Sequence, residues 1–188
     1  MLTKIWGPIF WYNFHIISYS YNNSEKQKYI TFFKSMPYLL PCLICNGHFK
    51  QILNKHTPEK NITNRNKFIK WLLNIHNSVN KRLNKKTITL AKSKKLYYDN
   101  NNILKLDHHK ILDFLKISKK YISNGISSII YFHGSNVLIN YCYICPCINC
   151  RENMKLLLIN QNLEGNNLLK ITNKMIDIVS KCPLFNNC

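Results

Sequence analysis

The residues best suited to chemistry in this 188-residue sequence are its eight cysteines, of which Cys42 and Cys45 stand three positions apart behind Pro41. Proline is favoured at the first position of a helix, so we expect a helix to begin here. The N-terminus of a helix favours a thiolate and lowers the pKa of a thiol placed there. From spacing alone, the pair is a redox-active dithiol, half of a metal site or a structural disulfide, and His48 with His56 would complete a metal site poorly.

A second group of candidates combines aromatic and polar residues at helical spacing. His76 and Asn80 lie four positions apart beside an apolar stripe that carries Trp71. Polar groups that lie next to a core are better placed to form the wall of a pocket than to fill a packed interior. Trp11 and His15 show the same pattern. The alternative for both groups is that the histidines hydrogen-bond inside a packed core.

Helical periodicity dominates the first half of the chain and predicts the elements that position these residues. Ser24 and Gln27 have the spacing of a capping box and predict the start of a helix, which Pro37 is expected to end. Thr63 or Asn64 is expected to cap a later helix. Joined by short loops, such helices describe a bundle. The predicted helices cover 6–21 and 24–36, a third begins at Pro41, and a fourth follows a polar loop at 57–64.

The second half is less regular but also mainly helical. The periodicity lapses in a polar, basic stretch between Thr87 and Asn102. We therefore predict a mainly all-α protein with a domain at 1–90, a connecting segment at 91–105 and a cysteine-rich helical domain at 106–188. Within that last domain, 107–122, 150–161 and 167–182 are predicted helices, while 125–144 is ambiguous between helix and strand.

The two halves share one similar segment. PCLICNGHFKQIL, from Pro41, aligns with PCINCRENMKLLL, from Pro146, at the proline, both cysteines and a lysine. Either the second half is a degenerate copy of the first bundle, or the similarity is chance in a biased composition.

Composition constrains the setting. Lysine and arginine number 27 against 8 acidic residues, giving a formal charge of +19, which would attract nucleic acid or other anions. The lysines are scattered in a sequence rich in Asn and Ile, however, so we interpret most of them as solvated. No apolar run of membrane-spanning length and no secretory signal pattern occurs, so we expect an intracellular protein without a membrane span. In that setting, cysteine clusters favour redox chemistry or metal binding over structural disulfides.

Taken together, the motifs of the first half resemble the Erv/ALR family of FAD-dependent sulfhydryl oxidases, most closely those of large DNA viruses. The family pattern is G-x-x-x-W-x-x-x-H, then P-C-x-x-C, then W-L-C-x-x-H-N-x-V-N-x-x-L-x-K. It covers roughly residues 5 to 90. The matching residues are Gly7, Trp11, His15, Pro41, Cys42, Cys45, Trp71, Leu72, His76, Asn77, Val79, Asn80, Leu83 and Lys85.

The resemblance implies a fold and a reaction. Four helices and a short fifth one would bind FAD, with Cys42 and Cys45 as the catalytic pair. Electrons from protein thiols would reach Cys42, pass through Cys45 to FAD and then to dioxygen, giving hydrogen peroxide and a new disulfide. The implied cofactor-binding residues are Gly7, Trp11, His15, Trp71, His76, Asn77 and Asn80, with Lys81 and Lys85 as phosphate partners.

The sequence departs from the family pattern at one structural disulfide and in its second half. Leu73 replaces the W-L-C cysteine, so we expect the second half to stabilise the end of the fourth helix. The family commonly has a second, shuttle pair of cysteines that relays electrons to the catalytic pair. For the cysteines of the second half, an electron relay and a structural disulfide are equal alternatives. A zinc site formed within 142–150 is the third alternative, because four ligands in nine residues strain a tetrahedral site. The candidates are Cys142, Cys145, Cys147, Cys150, Cys182 and Cys188.

The expected partners are protein thiols of unidentified substrates, such as thioredoxin-like or virion proteins, and dioxygen as acceptor. We expect no membrane and no nucleic acid as partner, no resident metal, and either a homodimer or a pseudo-dimer formed within one chain. Resemblance to viral enzymes places the protein in the host cytoplasm and the virion. The alternative function is that of a zinc-stabilised, basic nucleic-acid-binding protein.

Overall fold

The computed structural model describes residues 3–101, 103–124, 127–160 and 168–184. Within these ranges the regular elements are all helical, which confirms the mainly all-α prediction, and one isolated bridge joins Tyr98 to Leu104. Two short 3-10 segments, 23–25 and 36–39, flank the second helix. The α-helices are α1 Thr3–Tyr19, α2 Lys26–Ser35, α3 Leu43–Lys55, α4 Pro58–Asn61, α5 Arg65–Arg82, α6 Leu90–Tyr97, α7 His108–Ser123, α8 Ser128–Ile144, α9 Ile148–Ile159 and α10 Leu168–Ser180.

The N-terminal caps of the first bundle show which local signals set the helix starts. Asn64 caps α5, because its side chain accepts a hydrogen bond from the Lys67 N–H at 2.9 Å. The capping-box prediction at Ser24 is wrong. Asn22 instead accepts from the Ser24 N–H and starts a 3-10 turn, and α2 follows without a side-chain cap. Asparagine and serine are both strong caps, so composition alone did not decide between them.

Pro37 ends α2 as predicted, because that helix stops at Ser35 and Pro37 occupies an early position of the following 3-10 segment 36–39, where its missing N–H is not needed. Two other predictions on the first half need correction. The stretch predicted as a loop after α3 contains the short helix α4, which also starts with a proline, Pro58. Inside the proposed connecting segment lies α6, capped by Thr89 and burying Ser93 and Tyr97. The domain boundaries at 90 and 105 remain a prediction.

The second half forms four longer helices, α7 to α10. Asp107 caps α7 by accepting from the Lys110 N–H at 3.1 Å. The ambiguous segment is the helix α8. Its apolar residues lie on several sides of the helix, but its buried residues Gly134, Val137, Leu138, Tyr141 and Cys142 recur at helical spacing. Gly134 lets α8 approach α7 closely, since a Cβ there would lie 3.1 Å from the Ile122 side chain.

The two halves share one hydrophobic core, in which α7 packs against α1, and α8 packs against α2 and the 3-10 segment after it. Phe10 of α1 meets Phe114 of α7 at 4.9 Å between ring centroids. Across the same interface, the buried Tyr141 hydroxyl donates to the Asn13 side chain at 3.0 Å. No helix of the described ranges is long and apolar enough to cross a membrane.

Candidate redox and cofactor site

The catalytic candidates form a disulfide at the start of α3. Cys42 and Cys45 are joined, with 5.2 Å between their Cα atoms. Cys42 is the N-cap of the helix, and its sulfur accepts a hydrogen bond from the Cys45 N–H at 3.2 Å. Both cysteines are half-buried, whereas the intervening Leu43 and Ile44 are 78% and 71% exposed. The disulfide therefore lies at the surface, where a thiol of another molecule can approach it.

A cavity of about 580 Å³ lies directly behind this disulfide. Its volume is within the range of roughly 300–1,000 Å³ that is typical of small-molecule sites. Cys45 is part of its wall, while Cys42 is not among the described residues that line it. The remaining lining residues come from α1, α3, α5, α6 and the short segments beside them: Thr3, Lys4, Trp6, Gly7, Pro8, Phe10, Trp11, Tyr12, Phe14, Leu40, His48, Phe49, His76, Val79, Asn80, Arg82, Leu83, Lys85 and Tyr97.

One wall of the cavity consists of stacked aromatic rings. The rings of Trp11 and His76 lie parallel, with centroids 4.0 Å apart and 4° between their planes. Behind them, His15 Nε2 is 2.8 Å from His76 Nδ1, and the His15 ring also stacks on Tyr97 at 5.1 Å. The predicted histidines thus form a wall fixed by stacking and by one hydrogen bond.

Burial keeps both histidines neutral. It lowers the pKa of His15 to about 3, aided by repulsion from His76, and lowers the pKa of His76 to about 4, aided by repulsion from Lys85. His15 Nδ1 is buried without a partner. A bare ring nitrogen tolerates that position better than an N–H, since an unsatisfied donor loses a hydrogen bond to water. We therefore assign the shared proton to His15 Nε2, which leaves the proton of His76 on Nε2.

Positive charge is concentrated at one part of the lining. Lys4, Arg82 and Lys85 contribute there, and no acidic side chain occurs among the described lining residues. The position of Lys85 follows from the turn that ends α5. Asn84 adopts a left-handed conformation with φ 53°, and the Lys85 N–H donates to the Asn80 carbonyl at 2.8 Å while the Asn84 N–H donates to Lys81. This Schellman turn reverses the chain immediately beside the cavity.

Two observations indicate that the cavity suits an aromatic, phosphate-bearing cofactor. Trp6 Nε1 and His48 Nδ1 are buried without partners, and both residues line the cavity. A Cβ built on Gly7 would meet nothing within 4 Å, so the α1 backbone borders open space there. Aromatic walls, orphaned polar groups and three cations form a chemically suitable lining for a dinucleotide.

The structure brings some of the predicted binding residues together and separates others. Gly7, Trp11, His76, Asn80 and Lys85 line the cavity, with His15 directly behind it. Val79 and Leu83, two apolar residues that match the family pattern, also line it. Sequence reasoning missed Trp6, His48, Arg82 and Tyr97. Arg82 could have been found, since it follows Val79 by three positions and so shares its helix face.

Trp71, Asn77 and Lys81 are not among the described residues that line the cavity, and their role in binding a cofactor stays a prediction. Trp71 belongs to the core and donates its Nε1–H to the His56 carbonyl at 2.8 Å. The side-chain amide of Asn77 bonds the Ile88 backbone with both of its polar atoms: Oδ1 accepts from the Ile88 N–H at 2.8 Å and Nδ2 donates to the Ile88 carbonyl at 2.9 Å. Lys81 lies on that same side of α5. The observed contacts of Trp71 and Asn77 are thus with the backbone of neighbouring segments.

The position of the absent family cysteine is filled by packing. Leu73 is buried in α5. The main neighbours of α5 are α1, α4 and α6, so the expected support from the second half is replaced by α6 and by the Asn77 contacts with Ile88.

The cysteines of the second half are free thiols wherever the structure describes them. Cys142, Cys145, Cys147, Cys150 and Cys182 are all buried and unbonded, and Cys188 lies outside the described residues. Burial raises the pKa of Cys142, and it raises the pKa of Cys145 to about 12. The structural-disulfide alternative is therefore not what the structure shows for these five. An electron relay needs a thiolate that substrates can reach, and buried thiols do not offer one.

The fold and the site define a class: a helical redox protein whose surface disulfide backs onto a cofactor-sized cavity. Residues 8–99 match the Erv1 / Alr family. The FAD-linked sulfhydryl oxidase of African swine fever virus (isolate Pig/Kenya/KEN-50/1950) is 33% identical over 114 residues, which cover 58% of this chain and 92% of that protein. The chain belongs to the Erv1 / Alr family.

Two further relatives also come from large DNA viruses. A protein of Invertebrate iridescent virus 3 is 33% identical over 86 residues, covering 44% of this chain and 58% of that protein. A protein of Acanthamoeba polyphaga mimivirus is 34% identical over 94 residues, covering 47% of this chain and 66% of that protein. Both names contain the words FAD-linked sulfhydryl oxidase. No solved structure gives a significant match.

Proposed function

We propose that this chain is an FAD-linked sulfhydryl oxidase that forms disulfides in protein thiols, sending electrons through Cys42 and Cys45 to FAD and then to dioxygen, which becomes hydrogen peroxide. The observation that carries the proposal is the position of Cys45 in the wall of the cavity, with the disulfide open to the surface on the other side. FAD, when bound, accepts two electrons from a dithiol and transfers them to oxygen.

The residues that would hold FAD are those of the aromatic wall and the cationic lining. Trp11 offers a ring face, His76 a protonated ring nitrogen, and Asn80 an amide with both donor and acceptor atoms. Lys4, Arg82 and Lys85 would balance the charge of the two phosphates. The relatives named FAD-linked sulfhydryl oxidases support this assignment.

The steps assigned to the chain's own residues are two thiol–disulfide exchanges. A substrate thiolate attacks Cys42 Sγ, the Cys42–Cys45 bond breaks, and Cys45 leaves as a thiolate that the N-terminus of α3 stabilises. A second substrate thiolate then attacks the substrate sulfur of the mixed disulfide and releases Cys42. The substrate has lost two electrons and gained a disulfide, and the two electrons are held by the Cys42 and Cys45 thiols beside the cavity.

The direct test is the colour of the purified protein. It should be yellow, with a flavin band that dithiothreitol bleaches under nitrogen and that air restores together with hydrogen peroxide. A protein that stays colourless after incubation with FAD, or whose bound flavin dithiothreitol does not bleach, would refute the proposal.

Acid should release the cofactor and destabilise the bundle. The pKa values of His15 and His76 in the fold are about 3 and about 4, against about 6.5 in an unfolded chain. Between these values the unfolded state binds more protons, so stability rises with pH and is lost as pH falls below about 6.5. Flavin fluorescence and thermal unfolding measured from pH 7.5 to 4 check this, with the exposed His109→Gln as control. An equal acid loss in His15→Gln would contradict it.

We also propose that the second half replaces the partner subunit of a dimer. α7 and α8 pack on α1 and α2, so helices in the same order face each other, as the two copies do in an isologous interface. Cys42 stands immediately before α3, and Cys147 stands immediately before α9. These two helices carry the similar PC-x-x-C segments. The second half is thus interpreted as a degenerate copy of the first bundle.

A pseudo-dimer of this kind should be monomeric at all concentrations. Light scattering after size exclusion is expected to give the mass of one chain, 22.3 kDa plus one flavin, at micromolar and at higher concentrations. Because the apolar faces of α1 and α2 are already covered by α7 and α8, a dimer that dissociates on dilution would contradict the interpretation.

The relatives reported above come from large DNA viruses, and on that basis we propose that the enzyme works in the cytoplasm of an infected host cell and is packaged into the virion. Mass spectrometry of purified virions and of infected-cell fractions tests both parts.

A further inference from the structure

Four ligand-type side chains converge in the second half, away from the cavity. They are His108 at the start of α7, Cys147 and Cys150 at the start of α9, and Cys182 just after α10. One ligand atom from each lies within 4.8 Å of all the others, and all four residues are buried. They reach this point from distant parts of the sequence, since Cys182 is 35 positions from Cys147 and 74 from His108.

The separations match a tetrahedral metal site. Zinc lies about 2.3 Å from thiolate sulfur and about 2.0–2.1 Å from histidine nitrogen, so tetrahedral geometry places ligand atoms about 3.8 Å apart for two sulfurs and about 3.5 Å for sulfur and nitrogen. The Cys147 and Cys182 sulfurs are 3.7 Å apart, and Cys182 Sγ is 3.5 Å from His108 Nε2. A disulfide would need about 2.05 Å.

We propose that His108, Cys147, Cys150 and Cys182 bind one structural zinc ion. Three sulfurs and one imidazole form a closed, four-coordinate set of the kind that structural zinc sites use, and soft thiolates select zinc over magnesium or calcium. On binding, the three thiols lose their protons to solvent and coordinate as thiolates. The earlier objection to a zinc site within 142–150 does not apply, because only Cys147 and Cys150 come from those nine residues.

The surroundings favour thiolates at this point. Cys147 is the N-cap of α9 and Cys150 lies in its first turn, where the helix dipole stabilises negative charge. Arg151 follows directly and donates to the Cys145 carbonyl at 3.3 Å, which adds a cation close to the cluster. Three thiolates and one zinc carry one net negative charge, which these groups offset.

The site would do two things for the protein. It would fasten the ends of α7, α9 and α10 together, and so hold the second half against α1 and α2. If the proposed function is correct, coordination would also keep these three thiols from being oxidised by the chain's own activity. Cys147 and Cys150, which align with Cys42 and Cys45, would then be a former redox pair used as metal ligands.

The test is metal content, measured on the full chain after purification without chelators. Elemental analysis should give one zinc per chain for the parent and for Cys142→Ser, whose buried thiol lies outside the cluster and donates to the Leu138 carbonyl. Cys150→Ser and His108→Ala should lose it. Replacing zinc with cobalt(II) should give visible absorption of tetrahedral thiolate type, at longer wavelengths than the flavin bands.

The outcomes separate this proposal from the proposed function. Zinc without flavin supports the site and refutes the oxidase, while flavin without zinc does the reverse. A parent chain that binds neither zinc nor cobalt, a Cys147–Cys150 disulfide found by mass spectrometry, or a folded Cys150→Ser that keeps full zinc would each overturn the site. If Cys150→Ser does not fold, the cobalt spectrum and zinc stoichiometry of the parent decide.

Discussion

Cys45→Ser should abolish oxidation of thiols by oxygen while leaving the bound flavin in place. The substitution removes the leaving sulfur of the disulfide, so neither exchange can store two electrons in the chain. Loss of an essential reacting group in a mechanism of this kind costs roughly a thousandfold or more in turnover. Oxygen consumption with dithiothreitol and with a reduced protein substrate measures the effect, and the visible spectrum reports the flavin.

The matched control is Cys142→Ser, which changes a cysteine to serine at a buried position away from the cavity. It should keep parental turnover. Cys45→Ser retaining the parental rate would show that another pair of cysteines carries the reaction. Loss of flavin from Cys45→Ser would mean that the disulfide is required for the fold around the cavity and not only for the chemistry.

His76→Ala should weaken FAD binding more than any other single change in the aromatic wall. It removes the ring stacked on Trp11 and leaves His15 Nε2 buried without its partner. An unsatisfied buried donor costs about 1–3 kcal/mol, and at 1.4 kcal/mol per tenfold this corresponds to a loss of affinity of roughly 5- to 140-fold. Titration of the apo-protein with FAD, followed by flavin fluorescence, measures it.

Asn74→Ala provides the control on the same helix, since Asn74 lies on the exposed side of α5. Its affinity for FAD should equal that of the parent. If His76→Ala bound FAD normally, the wall of Trp11 and His76 would be a packing feature, and the cofactor would have to occupy another part of the cavity.

The positions of Asn77 and Lys81 show how far a linear motif can be interpreted. His76 and Asn80 are four residues apart and share a helix face, so both reach the cavity, whereas Asn77 is rotated by about 100° from His76 and faces the chain after α5. The motif predicted the helix correctly, and the structure places His76 and Asn80 of the motif in the cavity wall. It did not indicate which of its polar residues line the cavity and which, like Asn77, hydrogen-bond the chain that follows α5.

Long-range placement could not be predicted from local pattern. No spacing rule connects His108 with Cys182, because they are brought together by the packing of α10 against α7. Likewise, the ambiguity of 125–144 was settled by tertiary context, since the apolar content of α8 suits either a strand or a helix that is buried on most sides.

Within the described residues the one disulfide is Cys42–Cys45, the pair proposed to react, and the buried Leu73 occupies the position where the family pattern has a cysteine. That bond closes a loop of only a few residues, so opening it gives the unfolded chain little extra freedom. The stability of the fold therefore depends little on whether this disulfide is oxidised or reduced. If the proposed mechanism is correct, the molecule can pass through its reduced form at every turnover without loosening the helical bundle around the cavity.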